Sequence, residues 1–318
     1  MKRAFLISMI ALIATHLAVA QNAQQRRLPA QNTRAAEQSE EETITFDAAL
    51  VNTHVSVRDA QGHFVTGLTK EDFVVLDDGK QQPIVHFSQE SDQPLRVALV
   101  VDRSRSVQSV LGRAQLVVRD FINSVLRRGD SACLVAFDSG VYLVQDFTDD
   151  ADTLAGAVNK LTAAGGSSIF DAIYKTSRDK LAGTEEARRV IVLITDGEDT
   201  TSSSSIEQAM EMAVRNNVAV YAIRLPGENS LNGRNQQGKP VLARITESTG
   251  GRQFHLDGGE GQLAGFLKKL QDELRSQYSI GYQFQSASSA SNFHKITIKL
   301  TQPALKAFTR SGYYARSE

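Results

Sequence analysis

Three short stretches of this chain carry oxygen-bearing side chains at spacings that suit cation chemistry. Asp102-Arg103-Ser104-Arg105-Ser106 directly follows an apolar run. In a turn leaving a strand, positions i, i+2 and i+4 can converge, so Asp102, Ser104 and Ser106 can offer oxygen to one ion. Gly165-Gly166-Ser167-Ser168 combines two glycines, which permit a tight turn, with the Ser167 hydroxyl. Thr195-Asp196-Gly197-Glu198-Asp199 follows another apolar run and supplies a second carboxylate. All these donors are hard oxygens, which suit Mg²⁺, Mn²⁺ or Ca²⁺ and not zinc or copper. Two carboxylates balance a divalent charge, the three hydroxyls add none, and an octahedral ion keeps a position for water or an external ligand. Arg103 and Arg105 bring positive charge close to such an ion; either they point away or Arg105 helps hold an anionic ligand. The plainer alternative is that Asp102 and Asp196 merely cap helices.

The elements that must position these residues read as alternating strands and helices between about 95 and 275. Val97–Val101, Ala132–Phe137, Val190–Ile194 and Val218–Ile223 are near-continuous apolar runs, as expected of parallel strands buried on both faces. Between them lie amphipathic segments. In 107–127, Val107, Val110, Leu111, Ala114, Val117, Val118, Phe121, Ile122 and Val125 follow the i, i+3, i+4, i+7 rule. Ile206, Ala209, Met210 and Ala213, then Leu263, Phe266, Leu267 and Leu270, repeat it later. The expected fold class is α/β: a doubly wound, mostly parallel, Rossmann-like sheet with helices on both faces. In such sheets ligands bind beyond the carboxyl ends of the strands, at a topological switch point. Asp102 and Asp196 each follow a strand end.

The flanks read differently. Lys2 and Arg3 precede an apolar run from Ala4 to Ala20 ending Ala18-Val19-Ala20, the pattern of a signal peptide over 1–20, with a retained anchor helix as the alternative. No cysteine follows the run, which excludes lipid attachment there. Residues 21–42 lack large apolar side chains and read as a flexible linker. The segment 43–92 is β-rich, with runs at 51–57 and 73–76 separated by turn residues. The segment 276–318 holds three more short strands, at 277–285, 293–300 and 307–314. Neither group closes a stable sandwich alone. The expectation is a small β-sandwich assembled from both, flanking the 95–275 domain; independent docked extensions are the alternative.

The DxSxS string, the Gly-Gly-Ser loop and the Thr-Asp-Gly triplet, in this order, together resemble the metal-ion-dependent adhesion site of von Willebrand factor type A domains. The resemblance covers about 95–275, and the flanking β segments look like those of bacterial exported proteins with a related central domain. It implies that Asp102, Ser104, Ser106, Ser167 and Asp196 hold Mg²⁺, or Mn²⁺ or Ca²⁺, with Ser167 standing where the family usually has threonine. It further implies a partner protein that completes the metal shell with an Asp or Glu, a periplasmic or secreted location, and a non-enzymatic adhesion role.

Other classes fit less well. Lys and Arg number 35 against 36 Asp and Glu; this balance provides no basic field for nucleic acid. The single Cys133 lies in an apolar run, so it reads as a buried core residue rather than a reactive thiol. No Gly-x-Ser-x-Gly elbow, P-loop or zinc spacing occurs, and the histidines are scattered, with His255 read as following a short strand. Gly259-Glu260-Gly261-Gln262-Leu263-Ala264 formally matches a dinucleotide fingerprint but lacks an acidic ribose partner. Two rivals keep a physical basis: a Mg²⁺-dependent hydrolase using the same loops, and a scaffold with no occupied metal site. Glu198 and Asp199, in the polar loop running to Ser205, read as supporting residues and a helix cap.

Overall fold

The computed structural model describes residues 48–89, 93–183, 187–225, 238–256, 260–285 and 293–315. The expected signal peptide and linker at 1–42, and Gly259, lie outside them. The chain opens with β1 (Ala48–Arg58), β2 (Phe73–Asp77), β3 (Lys80–Gln82) and β4 (Ile84–Gln89). It continues through β5 (Leu95–Asp102), β6 (Ser131–Phe137), β7 (Val141–Thr148), β8 (Arg188–Thr195), β9 (Val218–Arg224) and β10 (Gln253–His255). It ends with β11 (Gln277–Gln285), β12 (Phe293–Leu300), β13 (Lys306–Phe308) and β14 (Gly312–Tyr314). The helices are α1 (Leu111–Ser124), α2 (Ala151–Val158), α3 (Ile169–Asp179), α4 (Ile206–Arg215), α5 (Gly238–Thr249) and α6 (Glu260–Arg275).

The central sheet has the order β10-β9-β8-β5-β6-β7. Every pairing is parallel except β6 with β7, an antiparallel edge strand. Alternate side chains of β5 enter two different cores, as a strand covered on both faces requires. Val97, Leu99 and Val101 pack with α1, α2 and α6, whereas Ala98 and Val100 pack with α3, α4 and α5. Cys133 is fully buried in the second core, and burial pushes its thiol up to about 12, so it is inert at neutral pH. From β5 the chain proceeds to β6 and β7 on one side, then crosses to β8 on the other. The switch point therefore lies between the carboxyl ends of β5 and β8, where Asp102 and Asp196 emerge.

The segments flanking this sheet build two further sheets, β13-β1-β11-β4 and β14-β12-β2-β3, each mixing strands from both ends of the chain. They enclose a separate core of Val51, Val55, Phe73, Val75, Tyr278, Ile280 and Ile296, among others. The sandwich thus closes only when both ends of the chain are present. It is tied to the α/β layer by a buried ion-pair triad. Glu273 of α6 accepts from Arg58 of β1 at 3.1 Å and from Arg252 at 2.5 Å. No helix among the described residues is long and apolar enough to cross a membrane, a statement that does not bear on β-barrels.

Three details depart from the sequence reading. The helix expected over 107–127 begins instead as a 3₁₀ segment, Arg105–Val110, before α1 takes over at Leu111. The DxSxS turn occupies its start, and the chain must hold that turn before an α-helical ladder can form. The run 307–314 is two strands in different sheets, because Arg310 turns inward between them to donate to the Asn52 and Val214 carbonyls at 2.7 and 3.4 Å. His255 is the last residue of β10 rather than following it. Close backbone approach explains Gly251, where an added Cβ would sit 2.0 Å from the Val220 carbonyl oxygen of β9. Gly251→Ala is expected to lower stability by about 3 kcal/mol or more, since the obstacle is the Val220 backbone, which cannot swing aside. Thermal denaturation of that variant checks the packing of α5 against β9.

Candidate metal centre

Three loops above the switch point bring the five sequence-predicted residues together. Asp102 ends β5 and is 1% exposed; Ser104, Ser167 and Asp196 are equally buried, and Ser106 is half-buried. The turn after β5 is set locally: the Ser104 amide donates to Asp102 Oδ1 at 2.8 Å. Asp102 Oδ2 accepts from Ser167 Oγ at 3.2 Å and from Thr195 Oγ1 at 2.7 Å. Ser104 and Ser106 hydroxyls lie 3.0 Å apart, and the Ser106 hydroxyl bonds the Asp196 carboxylate. A continuous chain of oxygens therefore runs from Ser167 through Asp102, Ser104 and Ser106 to Asp196.

The supporting bonds explain why the loops hold this shape. Arg103 and Ala164 are joined backbone to backbone at 2.7 Å, and the Arg105 amide reaches the Gly165 carbonyl at 3.3 Å, which couples the first loop to the second. Gly165 adopts φ 62°, and a Cβ on Gly166 would sit 2.7 Å from Thr201 Cγ2, so this loop is closely seated on its neighbours. Ser167 exchanges bonds with Thr200, its amide donating to Thr200 Oγ1 at 2.9 Å and its carbonyl accepting from the Thr200 amide at 2.8 Å. The third loop caps α3 from outside: Ser202 Oγ accepts from the Phe170 and Asp171 amides at 3.1 Å, and Asp199 accepts from Ser202 Oγ at 2.6 Å. Ser205 starts α4 with a capping box to Gln208. Capping thus falls to Asp199, Ser202 and Ser205, and neither Asp102 nor Asp196 is needed for it.

The electrostatics are those of two buried carboxylates close enough to act on one another. Burial is the largest influence on Asp102 and lifts its carboxyl to about 6; the Asp196 charge adds to the rise, and the Ser104 and Thr195 hydroxyls oppose it. Asp196 is likewise held above the usual carboxylate range, chiefly by burial, against the Glu198 amide and the Ser106 hydroxyl. Arg103 does not relieve them. It pairs with Asp138 at 2.7 Å and stacks on the Tyr142 ring at 4.8 Å, while Arg105 is exposed. Arg224, at the end of β9, donates to the Asp196 backbone carbonyl at 3.1 Å. An all-oxygen donor set with two charge-strained carboxylates fits a hard divalent cation.

Sequence reasoning assigned no role to Thr195, which donates to Asp102, or to Ser139, whose hydroxyl accepts from the Gly166 amide at 2.8 Å. Only the β5–β8 register, with Val101 opposite Ile194, places Thr195 across from Asp102.

Residues 97–198, which include Asp102, Ser104, Ser106, Ser167 and Asp196, match the von Willebrand factor type A domain family. The solved structures that resemble the chain include the conserved hypothetical protein BatB from Bacteroides thetaiotaomicron, 16% identical, with a TM-score of 0.47, covering 57% of this chain and all (100%) of that one. Another is the von Willebrand factor type A protein from Catenulispora acidiphila, 12% identical at TM-score 0.48, covering 85% of this chain and 64% of that one. A third, proximal thread matrix protein 1 from the mussel byssus, was solved with a zinc-occupied MIDAS motif. It is 18% identical at TM-score 0.49, covering 63% of this chain and 50% of that one. Each is a distant likeness, and no ligand or partner is carried over from it. No curated protein matches the chain.

Proposed function

We propose that this chain is an exported, non-enzymatic binding module that captures an acidic group of a partner protein through a divalent cation. Asp102, Ser104, Ser106, Ser167 and Asp196 would hold the cation, Mg²⁺ before Mn²⁺ or Ca²⁺ given the hard donor set. A cation held there would offer a Lewis-acidic position to a carboxylate supplied from outside. The observation that carries the reading is the oxygen chain from Ser167 to Asp196, with both of its carboxylates buried and raised. Thr195 and the Ser104 amide orient Asp102, and the Thr200 bonds fix Ser167. Arg103 and Tyr142 form the neighbouring rim, where a partner's own side chains would rest. The apolar run at 4–20 supports export, to the periplasm or beyond the cell.

A hydrolase would need a nucleophile or base poised beside the cation. Asp199, one acidic candidate in the third loop, is committed to the Ser202 hydroxyl and the start of α3. The binding role is tested with immobilised peptides bearing Asp or Glu against their Asn or Gln counterparts. Acidic peptides should be retained in Mg²⁺ and released by chelator, and retention that persists in chelator would contradict the reading.

The raised Asp102 pKa gives a pH signature. Its folded value of about 6 exceeds the ordinary carboxylate value, so the folded, metal-free chain keeps a proton that the unfolded chain has lost. This group's contribution to stability is full below about pH 4 and is lost as pH rises through about 6. Cation binding requires the carboxylate, so apparent affinity should fall about tenfold per pH unit below pH 6 and level off above it. Melting curves with and without Mg²⁺ between about pH 5 and about pH 8 check this, the Mg²⁺-induced rise shrinking on the acid side.

A further inference from the structure

The β-sandwich holds a second constellation that the sequence hides, because its members lie more than two hundred residues apart. Asp77 and Asp78, at the turn between β2 and β3, meet His294 of β12, and one donor atom from each lies within 4.8 Å of the others. Asp77 is 1% exposed, and its Oδ2 accepts from the Tyr282 and Tyr313 hydroxyls at 2.7 and 3.0 Å. Its Oδ1 is buried without a hydrogen-bond partner. His294 Nδ1 lies 2.9 Å from Asp78 Oδ2 and 3.9 Å from Asp77 Oδ1. The ring nitrogen is within hydrogen-bond distance of Asp78 Oδ2, whereas 3.9 Å to Asp77 Oδ1 is beyond hydrogen-bond reach. A buried carboxyl oxygen left without a hydrogen-bond partner is costly unless a cation meets it.

We propose that Asp77 Oδ1, Asp78 Oδ2 and His294 Nδ1 form a second cation site, separate from the Asp102 loops, that takes a borderline divalent transition metal such as Zn²⁺. One imidazole and two carboxylates are a zinc-type donor set, in contrast to the all-oxygen set at the sheet. In a tetrahedral site with bonds of about 2.0–2.1 Å, donors stand about 3.3 Å apart. The two separations from His294 Nδ1 bracket that value. The surroundings hold the donors in place: two tyrosine hydroxyls fix one oxygen of Asp77 and leave the other facing the imidazole, as supporting partners of metal ligands do. The His294 ring is packed between Phe284, at a centroid distance of 4.4 Å, and Tyr313, at 5.2 Å. The Asp78 side chain is 48% exposed, which gives a metal access and leaves the fourth position to water. Two carboxylates neutralise the ion. The bound metal would staple the β2–β3 turn to β12, joining the two ends of the chain.

The test is titration of Co²⁺ alone, then Zn²⁺, into the metal-stripped full chain carrying Asp102→Asn and Asp196→Asn, so that the site at the sheet does not contribute. The expected result is one equivalent of Co²⁺ with a visible tetrahedral absorption band, displaced by Zn²⁺. Adding Asp78→Asn or His294→Gln should weaken binding about 100-fold. Asp78→Asn keeps an acceptor for the Lys295 amide, which Asp78 Oδ1 now receives at 2.8 Å, so this variant should fold even if His294→Gln does not. No Co²⁺ bound, or binding that survives Asp78→Asn, would overturn the proposal. Neither outcome bears on cation binding at Asp102.

Discussion

Replacing Asp102 by Asn should stabilise the chain in chelator and destabilise it, relative to the parent, in saturating Mg²⁺. The crossing follows from a charge whose partner is a cation. In the metal-free chain Asp102 carries a carboxyl raised to about 6, which at neutral pH corresponds to up to about 3 kcal/mol of stability withheld from the folded state. Asparagine keeps the shape and an acceptor for the Ser104 amide while removing that cost, and the Thr195 and Ser167 hydroxyls can rotate to meet its amide. The gain should read as a rise in Tm on the order of 5 °C. With Mg²⁺ at about a thousand times its dissociation constant, the parent gains about 4.1 kcal/mol that the variant cannot, enough to reverse the order. Differential scanning calorimetry of both chains in each buffer checks the crossing. A variant less stable than the parent in chelator would show that Asp102 is a satisfied structural group.

Glu273→Ala should be the most damaging change far from the metal loops, lowering stability by about 3 to 5 kcal/mol. Glu273 is 1% exposed and answers two guanidinium groups, Arg58 from the sandwich and Arg252 from the α/β layer. Burial already lowers the Arg58 pKa, and the Glu273 charge is the main influence opposing that. Without it, two cations remain close together, one of them largely desolvated. Because β1 is central to its sheet, the loss should loosen the sandwich first. Hydrogen exchange should therefore show faster exchange in β1 and β11 than in β5 and β8. Uniform acceleration across both layers would mean that the triad does not act as a local joint.

What the sequence disclosed tracks how local each signal is. Continuous apolar runs declared β5, β6, β8 and β9, since strands buried on both faces need no periodicity to be recognised. The edge strand β7 gives no such run because it is largely exposed, and β10, of three residues, shows only as the short strand expected before His255. Asp102, Ser104, Ser106 and Asp196 stood out because their loops leave strands at the sheet's switch point, where the fold itself places ligands, and Ser167 because its glycine-rich loop carries a hydroxyl just before a helix. Thr195, Ser139 and the α3 cap made by Asp199 and Ser202 depend on which loops face one another, and that is set by strand order. The Asp77–His294 cluster shows the same limit more sharply, for the pairing of β2 with β12 joins opposite ends of the chain and no spacing rule reaches so far.

Calorimetric titration of Mg²⁺ into the metal-stripped chain, beside the Asp102→Asn, Asp196→Asn pair, tests the central claim most directly. The account predicts one saturable site in the parent that disappears in the pair while the fold, by circular dichroism, is unchanged. Absence of saturable Mg²⁺ binding by the parent, or equal binding by the pair, would contradict it.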